Sequence, residues 1–174
     1  MDKSAMTEAM KTSISEVLEQ MFFMPIDFIA PDADQPDQES GHAAIIVKLG
    51  FSGVPSGTFL LHVPTPLAQS VSADFLGISV PTLSIDQVTG TVLEMVNMLA
   101  GSALSIYDHH ALFDLQIPEM ITLKNASALV EGCSERIVIR VQTPESRMTF
   151  QLILQQAAMR LDEWRLRKPK KSRV

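Results

Sequence analysis

Residues 88–101 read VTGTVLEMVNMLAG, long and apolar enough for a buried helix, yet holding a Glu and an Asn three residues apart with two glycines around them. At about 100° per residue, Val88, Val92, Met95, Val96, Leu99, Ala103 and Ile106 fall in one stripe that must face a core. Gly90, Glu94, Asn97 and Gly101 lie within about 60° of one another on the opposite side. The stretch therefore predicts a helix with an apolar inner surface and a polar outer strip framed by bare backbone. An interior glycine costs a helix roughly 1 kcal/mol relative to alanine, so two on an exposed face do not serve stability. They leave room for another macromolecule to approach the carboxylate and the amide.

Working outward, Ser84 suits the N-cap of this helix and Asp86 its first turn, and the helix should run to about Tyr107. Before it, TPLAQSVSADFLG (65–77) predicts a short helix with Pro66 in the first turn and Gly77 at the end. HAAIIVKLGF (42–51) and GTFLLHV (57–63) predict a β-hairpin around SGVPS, whose Gly and Pro supply unusual backbone angles. Over residues 5–23, Met10, Ile14, Val17, Leu18 and Met21 recur at helical spacing, with Glu16 and Glu19 outside and Pro25 as the stop. FDLQIPEMITL (113–123) reads as strand, and RIVIRVQT with RMTFQLILQQ as a second hairpin around PES.

The predicted order is helix, hairpin, helix, helix, strands, hairpin, a weak repeat of helix plus hairpin. The fold class is α+β, a mainly antiparallel β-sheet covered by long amphipathic helices. Residues 1–156 should form a single domain with a mobile loop at about 30–41, APDADQPDQESG, and residues 157–174 a basic C-terminal tail.

With 174 residues, 46% of them hydrophobic, the chain can bury a sizeable core. A net charge of −6 argues against nucleic-acid binding, which needs a concentrated basic face. Cys133 is the sole cysteine, so no intramolecular disulfide can form, and the expected compartment is reducing and cytoplasmic. No stretch approaches the roughly 18 apolar residues of a membrane span, and the N-terminus lacks the pattern of a signal peptide.

The residues LEMVNMLAG (93–101), an ExxNxxxG pattern on an apolar helix, resemble the signature of the CheC/CheX family of chemotaxis phosphatases, and most closely its CheX branch. FSGVPSGTFLLHVP (51–64) looks like that family's hairpin and IPEMI (117–121) like its strand after the signature helix. Such proteins remove the phosphoryl group from the aspartyl phosphate of a CheY-like response-regulator receiver domain. The resemblance implies Asn97 as the residue orienting the attacking water and Glu94 as the anchor for the receiver's lysine, with Gly90, Met98 and Gly101 along the partner-binding surface.

It implies no cofactor in this chain, the divalent metal being the receiver's, and it implies a homodimer. Two positions depart from the family pattern: Gly90, where an Asp or Ser is frequent, and Pro118, which falls slightly closer to Asn97. SEVLEQM (15–21) places Glu19 where some members carry a second Asn, so one active site per chain is expected. The alternative is a receiver-binding or flagellar-switch-like module of the same fold without turnover.

Other candidates are weaker. His109 and His110 are adjacent, without ligand spacing, and read as the end of the long helix; His42 and His62 are isolated beside strands. Cys133 sits in VEGCSE, read as a loop with no base to activate a thiol. Met6, Met10, Met21 and Met95 follow apolar faces as core filler, whereas Met98 lies nearer the Glu94 side, where a partner can pack.

Overall fold

The computed structural model describes residues 1–30, 43–133 and 135–154. All but the first residue of the expected loop, and the whole of the basic tail, lie outside the described residues. The first helix, α1 (Lys3–Met21), starts where Asp2 accepts hydrogen bonds from the Ser4 and Ala5 amides at 2.9 and 3.2 Å. Met6, Met10, Ile14, Val17 and Leu18 are buried along one face. Met21 departs from the expected pattern: at the last turn it is 46% exposed.

A two-residue strand, β1 (Asp27–Phe28), precedes the hairpin of β2 (Ala44–Ser52) and β3 (Gly57–Pro64). Its loop holds Gly53 at φ 148° and a cis Val54–Pro55 bond. Helix α2 (Thr65–Leu76) closes on Gly77 at φ 65°, the left-handed conformation glycine adopts freely. The long helix α3 (Ile85–Tyr107) begins at Ser84, and Gln87 completes a reciprocal cap: Ser84 Oγ accepts from the Gln87 amide, and Gln87 Oε1 accepts from the Ser84 amide.

The expected strand over residues 113–123 shrinks to β4 (Asp114–Leu115) and β5 (Glu119–Met120). Pro118 stands between them, and proline has no N–H for a ladder. A helix absent from the predicted order, α4 (Leu123–Glu131), follows, with Thr122 capping the Asn125 amide at 3.3 Å. The second hairpin, β6 (Arg136–Gln142) and β7 (Arg147–Leu154), agrees with expectation.

The strands form one antiparallel sheet in the order β1-β6-β7-β3-β2-β4, with β5 also on β2. β3 and β7 meet in the middle, and there the Phe59 and Phe150 rings stack with centroids 5.2 Å apart and planes within 5°. One face of the sheet, including Val47, Leu49, Phe59, Leu61, Ile139 and Phe150, joins α1 and α3 in a single core. The helices cross over: α1, from the first half of the chain, lies on β6, and α3, from the second half, lies on β2. The two helices run antiparallel and side by side, tied by Asp2 N–H to Tyr107 Oη at 3.2 Å and by the buried Ser13 hydroxyl to the Leu99 carbonyl at 2.8 Å.

Candidate functional site

The inner surface of α3 fixes its outer one. Val88, Val92, Met95, Val96, Leu99 and Ala103 are at most 2% exposed, so the helix is seated over most of its length. Ile106, expected in the same stripe, is instead 42% exposed, although Leu104 and Tyr107 of the same turn pack on the core. Thr91, Ala100 and Leu104 complete the buried side.

On the outer side Glu94 is exposed and Asn97 half-buried, one turn apart and separated by about 4.5 Å along the axis. Neither side chain has a hydrogen-bond or ion-pair partner among the described residues. A carboxylate acceptor and an amide that both donates and accepts thus stand adjacent with their capacity unused. A methyl group added to Gly90 would meet nothing within 4 Å, so the surface one turn before Glu94 is open.

Two of the expected partner-facing positions are more enclosed than the spacing suggests. A Cβ on Gly101 would lie 3.8 Å from Leu115 Cδ1, so β4 borders the strip on that side. Met98 is half-buried and packs against the core, leaving only part of the side chain outward. Leu115 is the neighbour that helical spacing could not reveal, since it comes from a strand paired with β2.

The other polar candidates lie elsewhere. Glu16 and Glu19 are exposed on α1 and, being two carboxylates, offer no amide. His109 and His110 lie just past α3, not on it; their rings are 3.8 Å apart, in a turn where Asp108 Oδ1 accepts from the His110 and Ala111 amides. Among the described residues no three His, Cys, Asp or Glu side chains are grouped to hold a metal ion. Cys133 lies just past the Gly132 cap of α4, outside any helix or strand as expected, and it lines a shallow cleft of about 310 Å³ with Val130, Glu135 and Arg136. No described helix is long and apolar enough to cross a membrane.

Known proteins give this geometry a context. The family model described as Chemotaxis phosphatase CheX matches residues 45–142, more than half of the chain and including the whole of α3. No curated protein matches the sequence. Among solved structures, the chemotaxis protein CheX from Vibrio vulnificus is similar at a TM-score of 0.68 and 18% identity, over 86% of this chain and 96% of that one. A CheC-like superfamily protein from Shewanella sp. PV-4 is similar at 0.68 and 17% identity, over 90% and 100%. CheX from Borrelia burgdorferi, in a complex with CheY, BeF3 and Mg2+, is similar at 0.67 and 17% identity, over 86% and 97%.

Proposed function

Because the chain belongs to the CheX family of chemotaxis phosphatases, we propose that it binds the phosphorylated receiver domain of a CheY-like response regulator and hydrolyses its aspartyl phosphate. The observation that carries this reading is the Glu94–Asn97 pair, without partners among the described residues, on a helix whose opposite side is seated over most of its length. A Borrelia burgdorferi relative of the same fold, solved with CheY, BeF3 and Mg2+, supports a receiver as the partner class.

The chemistry asks little of this chain. A phosphorylated receiver brings the acyl phosphate, the divalent metal and a lysine, so the phosphatase has only to place a water in line and hold the complex together. The Asn97 amide oxygen accepts a hydrogen bond from the water while its NH2 donates to a phosphoryl oxygen. The water oxygen bonds to phosphorus as the bond from phosphorus to the receiver's carboxylate oxygen breaks; the water's proton leaves on the phosphate or to solvent. Glu94 accepts a charge-assisted hydrogen bond from the receiver lysine, which fixes the register of the two domains.

The metal is the receiver's, and this chain supplies no cofactor of its own. The working place is the cytoplasm, where receivers signal. Two copies form the active particle, a reading supported by the apolar edge at β4 and β5, where Leu112 is 91% and Ile117 89% exposed.

The direct test incubates the chain with CheY-like receivers from its own genome, phosphorylated with acetyl phosphate, and follows phosphate release. Acceleration that disappears in Asn97→Ala supports the phosphatase. Binding without acceleration favours a receiver-binding module, the reading that the open space at Gly90 would suit.

A further inference from the structure

Helix α1 ends in a way that stability alone does not explain. The Met24 amide donates to the Leu18 carbonyl, six residues back, at 2.9 Å, and the chain turns back to make this bond through a left-handed residue. That residue is Phe23, at φ 52° the only non-glycine residue with positive φ among those described. The end of α2 provides an internal contrast: there the same conformation is taken by Gly77 at φ 65°. A bulky side chain in this conformation is strained.

The strain is not offset by burial, since Phe23 is 79% exposed. Its base, however, is fixed. Phe22, 1% exposed, stacks on Phe75 of α2 with centroids 4.9 Å apart, and Met24 is 7% exposed. The ring is therefore held outward from a rigid footing, with Met21 beside it also exposed.

The place of this ring along the helices links it to the site. From the Ser13–Leu99 hydrogen bond, α1 advances about 15 Å to Phe23, and the same distance back along antiparallel α3 reaches the turn of Gly90. Glu16, Glu19 and Gln20 on α1 and Gly90 and Glu94 on α3 are all exposed, so the two helices present a shared outer surface. Phe23 borders that surface at its open end.

We propose that Phe23 is an apolar anchor for the receiver, inserting into an apolar patch beside the receiver's phosphorylation pocket while Glu94 and Asn97 engage the pocket itself. This rests on the phosphatase reading given above. A preset aromatic loses little conformational freedom on binding, which is why such residues concentrate binding energy at interfaces.

The test is Phe23→Gly, which relieves the backbone and removes the ring. The thermal midpoint should hold or rise, while the Kd for a receiver activated with Mg2+ and beryllium fluoride rises about tenfold or more. The KM for phosphate release should rise in parallel, with kcat at saturating receiver unchanged. A variant that merely damaged the fold would lose stability and kcat together. Should the glycine variant not fold, Phe23→Asn, tolerant of the same backbone, serves in its place.

Unchanged Kd and KM overturn the proposal. So does unchanged receiver affinity with a shift from dimer to monomer in sedimentation, which would assign the ring to a second copy of this chain. If the parent itself binds no receiver, the phosphatase reading fails and the anchor with it; a parent that binds as tightly as its glycine variant sinks the anchor alone.

Discussion

The Ser13 hydroxyl on α1 donates to the Leu99 carbonyl on α3 at 2.8 Å, inside the core and half a turn beyond Asn97. Among the described residues this is the buried one of the two polar ties between α1 and α3, the other being the exposed Asp2–Tyr107 bond at their ends, and it sets how far one helix can slide along the other. Ser13→Ala should cost about 1 kcal/mol, as expected for one buried hydrogen bond whose acceptor keeps its helical partner. Thermal unfolding should show a fall of about 2–4 °C for a domain of this size.

Asn97→Ala and Glu94→Ala should separate by kinetics. Losing the amide should lower kcat about 100-fold or more with receiver affinity nearly unchanged, the scale of removing one positioned donor at a reacting oxygen. Losing the carboxylate should mainly raise KM, and the difference between parent and Glu94→Ala should shrink with added salt as the ion pair is screened. Both residues are outside the core, so thermal midpoints should stay near the parent value.

At Gly90 stability and function should part. Gly90→Ala fills open space on an exposed helix surface and should stabilise by about 0.5–1 kcal/mol, seen as a higher denaturant midpoint. Gly90→Lys should keep the fold, yet it should weaken receiver binding by placing a long charged chain one turn before Glu94. Equal affinity of the lysine variant and the parent in a receiver titration would place the docking surface elsewhere.

Oligomeric state should depend on the β4–β5 edge. Sedimentation of the parent should give a dimer, and the double change Leu112→Glu, Ile117→Glu should give a monomer with the same helical circular dichroism, since both side chains are solvent-facing in the protomer.

The division of α3 into a seated and an open surface was legible from angle alone, because the helix is long and its neighbours cover nearly one whole side. The same rule overshot at helix ends. Met21 and Ile106 keep the period, yet each is nearly half exposed in the last turn of its helix, which the period alone does not reveal. Helix α4 escaped because it is only nine residues long: Leu123, Ala126 and Val130 keep helical spacing between Thr122 and Gly132, but the pattern lasts barely two turns and only Ala126 is buried. The cover that Leu115 gives Gly101 depends on a pairing with β2 some sixty residues away, which no local pattern encodes. Glu94 and Asn97 could be placed by spacing, but only the family likeness gave them a reaction.

The crossed arrangement, with α1 on the second hairpin and α3 on the first, has a consequence for motion. To release α3 the chain must part both of its halves at once, so the helix bearing Glu94 and Asn97 has no cheap local opening. Its inner amides should exchange with deuterium only through global unfolding, among the slowest in the molecule. A partner arriving at this surface then meets a finished template, and the ordering entropy of the encounter falls on the partner and on the water between them.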